Sequence, residues 1–257
     1  MAEAPKTVTA AVLIIGNEIL SGRTKDANLP FLAENLNALG IQVREARVVS
    51  DVTDEIVAAV NETRAKYDYV FTTGGIGPTH DDITADSVAK AFGVGIDVDP
   101  EARALMEAHY AKTGAELNEA RLRMARLPFG ATMVENPISK APGFQIENVF
   151  VLAGIPVVAH AMFESLKHKL VGGAPVQSRS IAVFLAEGTV AKQLGALQDK
   201  YPDTDIGSYP FHRQGRFGTS LVIRCQDPAR LTAALDELRA MLTALGGETI
   251  EDTNDPG

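Results

Sequence analysis

The sequence predicts an α/β fold: a doubly wound, mainly parallel sheet with a second, small α+β domain. Three observations carry this expectation. Strand-like apolar runs alternate with helix-like segments over about the first 160 residues. Glycine-bearing segments follow the first and third of those runs at once. The segment Gly172-Gly173-Ala174-Pro175 then separates this half from a stretch with a different element order.

The elements follow in order. Val8–Ile15 is an almost unbroken apolar run bounded by Gly16-Asn17, as a strand buried on both faces requires. Leu29, Leu32, Leu36 and Leu39 recur at helical spacing, and Gly40 marks the stop. Ile41–Val49 reads as the second strand, Ile56, Val57 and Val60 mark a helix, and Tyr69-Val70-Phe71-Thr72 is the third strand, ending at Thr73. This βαβαβ order calls for right-handed crossovers and a parallel sheet. A helix is expected over Thr84–Phe92, stopped by Gly93, and further helices over 100–112 and 117–126. Short strands over 131–134, 144–146 and Val149–Leu152 precede a helix opened by Pro156, with Met162, Phe163, Leu166 and Leu170 on one face.

Beyond the glycine linker the order becomes strand (180–185), helix (189–200), strand (205–209), strand (219–225) and helix. The last helix aligns Leu231, Leu235, Leu238, Leu242 and Leu245 on one stripe. The domains expected are therefore 1–171 and 178–250, with a polar, frayed tail from Glu248.

Composition narrows the function classes. The 257 residues carry a net charge of −9, which argues against a dedicated nucleic-acid binder with its basic face. It does not exclude a phosphate ligand, because main-chain amides bind anions locally. The single cysteine, Cys225, allows no internal disulfide and reads as a buried strand residue. No leader-like apolar run opens the chain, and no stretch approaches the roughly 18 apolar residues of a membrane span. A cytoplasmic protein is the expectation.

The chemistry concentrates in the loop after the third strand. Gly74, Gly75 and Gly77 lack Cβ, so Thr73 and the turn behind it can approach an anion closely; Pro78 stiffens the loop. The helix starting near Thr84 points its amino end at the same place. Asp81 and Asp82 stand beside this loop and would repel a phosphate unless a cation lay between them; oxygen ligands of this kind suit Mg²⁺. Asp82 alternatively caps the following helix. Thr79 and His80 lie between the glycines and the carboxylates, His80 as a donor to phosphate or an exposed side chain. The end of the first strand adds Asn17, Glu18, Ser21, Asp26 and Asn28, with Glu18 and Asp26 expected to face Asp82 across the crevice. Asp26 or Asn28 equally suits a helix cap. Arg121, Arg123 and Arg126 read as a solvated helix face, with a grip on phosphate by one of them as the alternative, and Lys140 joins the ligand-binding set.

At these residues the chain resembles the molybdopterin-binding domain superfamily, specifically its CinA-type competence/damage-inducible members, and the amino-terminal domain of animal FAD synthases. The resemblance rests on Ile15-Gly16-Asn17-Glu18-Ile19-Leu20-Ser21-Gly22, Asp26-Ala27-Asn28 and the run from Thr73 to Thr84. Asn136-Pro137, Ala141-Pro142-Gly143-Phe144, Gly154-Ile155-Pro156 and Ile206-Gly207-Ser208-Tyr209-Pro210 extend it over most of the chain.

The resemblance implies a MogA/MoaB-like sheet domain and a nucleotide or pterin-phosphate ligand. CinA-type domains resemble enzymes that hydrolyse ADP-ribose with a divalent metal (Mg²⁺, Mn²⁺ or Co²⁺), helped by K⁺; the FAD synthase domain is linked to FAD hydrolysis. Asp82 matches the family's key carboxylate, and Asp81 stands where molybdopterin enzymes tend to carry a basic residue, which favours the hydrolase branch. Asp82, Asp81 and Glu18 are thus the expected catalytic set, with Asp82 and Asp81 on the metal. Ala153 replaces the family's usual proline, and Val158 stands where a glutamate is common. A non-catalytic molybdopterin or nucleotide binder, or a molybdopterin adenylyltransferase, is the alternative. The resemblance further implies a homo-oligomer, dimer or trimer, and no deamidase activity, because the family's deamidase domain would follow the small module.

Overall fold

The computed structural model describes residues 7–213 and 215–250; expectations for the leading segment and for the tail past residue 250 lie outside the described residues. The chain divides into two units, Met1–Gly173 and Ala174–Gly257.

The first unit runs β1 (Val8–Ile15), α1 (Asn17–Leu20), α2 (Asn28–Ala38), β2 (Ile41–Val49), α3 (Thr53–Lys66), β3 (Tyr69–Thr73) and α4 (Thr84–Phe92). It continues with β4 (Ile96–Val98), α5 (Pro100–Thr113), α6 (Glu119–Leu122), β5 (Arg126–Pro128), β6 (Thr132–Val134), β7 (Gly143–Ile146), β8 (Val149–Leu152) and α7 (Pro156–Leu166). Six strands form one sheet in the order β2-β1-β3-β8-β7-β6. The pairs β1/β2, β1/β3 and β3/β8 are parallel, and β7 and β6 add an antiparallel edge.

The unbroken apolar character of β1 has a plain cause: both its faces are covered. Val12 and Ile14 pack with Leu32 and Leu36 of α2 and Met162 of α7. Leu13 and Ile15 point the other way, onto Ile56 and Val60 of α3 and Val88 of α4. The chain leaves β1 for β2 on one side and returns through α3 to β3 on the other. The loops after β1 and β3 therefore part, and a crevice opens at the strand ends where the order reverses.

One expected element is overturned. The run 117–126 is not one helix: α6 covers four residues, a 3-10 turn follows over Arg123–Ala125, and Arg126 enters β5. Asn118 caps α6, its side-chain oxygen accepting from the Arg121 N–H at 3.0 Å. Strand pairing of Ile96 with Pro128 and Val98 with Arg126 then overrides the helical propensity of the run.

The second unit holds β9 (Gln177–Val183), α8 (Glu187–Lys200), β10 (Asp205–Arg213), β11 (Arg216–Cys225), α9 (Pro228–Ala244) and β12 (Thr249–Ile250). Its antiparallel sheet has the order β10-β11-β9-β12. Val190 and Leu194 of α8 and Leu231 and Leu238 of α9 share a core with Ile181, Leu221 and Ile223. Cys225 is buried in that core, as expected. The fraying expected from Glu248 does not hold for 248–250: Phe184 donates its N–H to the Glu248 carbonyl, and β12 pairs with β9. No helix among the described residues is long and apolar enough to cross a membrane.

Candidate functional site

The crevice is shaped by glycines at positions where a side chain has no room. Gly74 takes φ +102°, and a Cβ there would lie 2.1 Å from the Ile15 carbonyl oxygen at the end of β1. Its N–H donates to the Leu152 carbonyl at 3.2 Å, so this residue ties the ends of β1, β3 and β8 together. Gly75, at φ +67°, would place a Cβ 2.2 Å from the Thr84 hydroxyl oxygen. Its carbonyl accepts from the Thr84 N–H at 2.9 Å, which fixes the start of α4 against the loop.

Between these anchors lies unused hydrogen-bonding capacity. The N–H groups of Gly75, Ile76 and Gly77 donate to nothing among the described residues. No side chain caps α4, whose N-cap position is Ile83. The hydroxyls of Thr73 and Thr84 and the side-chain oxygen of Asn28 are buried without a partner. Asn28 is held in place by its amide, which donates to the Gly154 carbonyl at 2.9 Å. Buried polar atoms without partners are uncommon, and here they flank three consecutive free amides.

Asp82 does not cap α4. Its Oδ2 accepts from the Thr79 N–H at 2.8 Å and from the Thr79 hydroxyl, closing the loop locally across Pro78 and Gly77. A Cβ on Gly77 would meet that same carboxylate at 2.6 Å. Asp81 is exposed, and the Thr79 side chain, then a loop N–H and the neighbouring His80, hold its carboxyl below the usual carboxylate range. His80 itself is almost fully exposed.

Several expected residues are engaged by partners within the protein. Asp26 accepts from the N–H groups of Asn28 and Leu29, at 3.3 and 2.8 Å, so it serves the amino end of α2. The Glu18 carboxylate folds back over Gly16, where a Cβ would meet it at 2.5 Å. Among the described residues no three His, Cys, Asp or Glu side chains gather as a metal cluster, so neither Glu18 nor Asp26 completes one with Asp82 and Asp81 together. Asn17 is tied to the end of β2, its N–H donating to Asp51 at 2.8 Å. Ser21 bonds locally to the Glu18 carbonyl. Lys140 occupies a left-handed turn position at φ +59° and pairs with Glu135 at 3.1 Å.

Asp86 was not singled out by sequence reasoning, and Arg123 and Arg126 were read first as a helix face and only second as a phosphate grip, yet all three adjoin the loop. Ile76, Gly77, Asp82, Asp86, Arg123 and Arg126 line one small cavity. Arg126 grips Asp86 with two nitrogens, at 3.0 and 2.7 Å, and Arg123 reaches the Asp82 carbonyl at 3.3 Å. The reading of Arg123 and Arg126 as a solvated helix face is thereby corrected. No local sequence signal marked the Asp86–Arg126 pairing, whose members lie 40 positions apart.

Comparison with known proteins agrees with this architecture. The family model of a probable molybdopterin binding domain matches residues 11–172, and that of the FAD synthase middle domain matches 175–246. A probable FAD synthase of Caenorhabditis elegans is 34% identical over 265 residues, covering 93% of this chain and 50% of its own length. A CinA-like protein of Desulfosudis oleivorans is 35% identical over 212 residues, 77% of this chain and 51% of that protein. The chain thus spans about half the length of these two curated relatives. The crystal structure of the protein CinA from Thermoplasma acidophilum shares 35% identity, covers 64% of this chain and 99% of that one, and superposes with a TM-score of 0.59. The chain belongs to the probable molybdopterin-binding domain family and is of the CinA type.

Proposed function

We propose that the protein binds the phosphates of a nucleotide or pterin ligand at the ends of β1 and β3, and hydrolyses a nucleotide diphosphate linkage there. ADP-ribose is the first substrate to test and FAD the second, the latter because residues 175–246 match the FAD synthase middle domain. The observation that carries this reading is the run of three free amides at Gly75, Ile76 and Gly77, flanked by the unpartnered hydroxyls of Thr73 and Thr84. Amides and hydroxyls fixed in this way donate to phosphate oxygens without reorganising as charge develops on them.

A divalent ion fits the donor set in one form only. Asp82 Oδ1 has no hydrogen-bond partner among the described residues, and Asp81 is an exposed, ionised carboxylate next to it. Two carboxylates suit Mg²⁺, Mn²⁺ or Co²⁺ completed by ligand phosphate and water, not an all-protein cage. Such an ion would supply charge neutralisation at the phosphoryl oxygens. The chain's own residues do the rest. The loop amides and the amino end of α4 orient the diphosphate, Thr79 holds Asp82, and the Asp81 oxygen not used on the ion orients an attacking water.

ADP-ribose and FAD turnover measured with each of Mg²⁺, Mn²⁺ and Co²⁺ tests this, with product expected under at least one metal. Protein that retains ligand but turns over neither compound under any metal would sink the hydrolase reading. That outcome would support a second reading, ligand binding without catalysis, which one observation favours. Val158, where CinA-type relatives commonly carry a glutamate, is only 8% exposed and packs in the α2/α7 core.

A further inference from the structure

We infer that Arg123 reads the second phosphoryl group of the ligand, so that the site is selective for a diphosphate over a monophosphate. This rests on the glycine loop being a phosphate site. Gly77 belongs both to the run of free amides and to the lining of the neighbouring cavity. A phosphoryl group held on the amides therefore has that cavity beside it, and the next phosphoryl group of a diphosphate reaches the mouth of the cavity.

The two arginines there are not equivalent. Arg126 is committed: both of its terminal nitrogens bond the Asp86 carboxylate, the bidentate geometry that satisfies a guanidinium. Asp86 is thereby neutralised. Arg123 keeps only a long ion pair to the same carboxylate, at 3.9 Å and beyond hydrogen-bond distance, and donates one hydrogen bond of 3.3 Å to the Asp82 carbonyl. Its other N–H groups have no partner among the described residues. The side chain is 35% exposed and its charge is only partly offset, because Asp86 is shared with the closer Arg126. A charge so placed is stabilised by an arriving anion, and a guanidinium offers a planar fork that matches two phosphoryl oxygens. Arg126 and Asp86 hold the wall, and Arg123 supplies the charge.

Arg123 also steadies the loop through the Asp82 carbonyl, so the test must separate reading from positioning. Calorimetric titration of the full chain with ADP-ribose and with AMP, both with MgCl₂, does so. Arg123→Gln is expected to weaken ADP-ribose binding by about tenfold or more, the scale of one charge-assisted hydrogen bond, while AMP changes by less than about threefold. Arg123→Lys should recover part of the loss, because it keeps the charge and loses the fork. Equal weakening of both ligands would mean that Arg123 only positions the loop and would overturn the inference. So would unchanged ADP-ribose binding, or a wild-type protein that binds the two ligands equally; in these cases the loop reading stands. A wild-type protein that binds neither ligand removes both. If Arg123→Gln lowers the unfolding temperature too far to titrate, the ratio of the two affinities in Arg123→Lys decides alone.

Discussion

Thr79 and Asp82 close the loop from both sides. The Thr79 N–H donates to Asp82 Oδ2 at 2.8 Å, while the Asp82 N–H donates to the Thr79 carbonyl at 3.2 Å. The carboxylate that the proposed function places on a metal ion is thus also a local structural brace, and the two duties can be taken apart by mutation.

Asp82→Asn keeps a side-chain oxygen for Thr79 and removes the charge. Its unfolding temperature is expected to stay within a few degrees of the parent, with ADP-ribose turnover falling on the order of 100-fold or more. Asp82→Ala loses the brace as well, and about 1 kcal/mol of stability with it. Denaturant titration beside a turnover assay reads both quantities. Near-normal turnover in Asp82→Asn would remove this residue from the chemistry.

Gly74→Ala is expected to be far costlier than an ordinary surface change. The new methyl group would collide with the Ile15 carbonyl, and φ of +102° is poor for any side chain. A loss of roughly 2–4 kcal/mol is expected, together with ligand binding, because the ends of β1, β3 and β8 meet at this residue. Gly188→Ala is the control: it sits in α8 with open space around its Cβ position, and it should be neutral or stabilising. A stable, ligand-binding Gly74→Ala protein would contradict the close approach.

Acid stability has a local determinant away from the site. The Glu45 pKa is lowered to about 2, chiefly by the Tyr67 hydroxyl at 2.6 Å, then by Lys66 at 3.0 Å and by Arg47. A carboxylate depressed in the folded state contributes stability above its unfolded pKa, and that stability is lost as pH falls through the folded value. Glu45 should therefore lower the unfolding temperature progressively between pH 4.5 and about 2. Tyr67→Phe removes the largest contributor and should flatten the curve in that window. An unaltered slope would show that the ionic partners alone set the value.

How much of this was legible beforehand follows from the range of the interactions involved. The parallel strands were readable because burial on both faces writes itself into contiguous residues, as in β1. The glycine loop was readable because its residues are neighbours in the chain. Asp82 was half legible: its place beside the loop was evident, but Thr79 competes with the α4 amides for its oxygens, and Thr79 wins. The Asp86–Arg126 pair was not legible, since its members lie 40 positions apart and the run around Arg126 has good helix propensity. Tertiary pairing with β4 decides that segment. The short strand at Thr249–Ile250 escaped for a related reason, because two residues carry no periodicity and only β9 gives them a partner.

Thr84 offers the sharpest separation of function from stability. Its hydroxyl is buried without a partner among the described residues, next to the Gly75 backbone and at the start of α4. A buried hydroxyl that makes no hydrogen bond opposes folding, on a scale of about 1–3 kcal/mol, unless a ligand or water satisfies it. Thr84→Val preserves the branched shape and removes the hydroxyl. The variant should therefore unfold at the same temperature as the parent or higher, measured without ligand. If the hydroxyl donates to phosphate, the same variant should bind ADP-ribose about tenfold more weakly. Thr72 is the matched control: its hydroxyl is also buried and unpartnered among the described residues, but it lies within β3, one residue before its last residue Thr73. Thr72→Val should share the gain in stability and leave binding unchanged. A Thr84→Val protein that is destabilised would mean a bound water satisfies the hydroxyl in the ligand-free state. One that is stabilised yet binds ADP-ribose normally would place the phosphate away from α4, and the loop amides would then have to hold it alone.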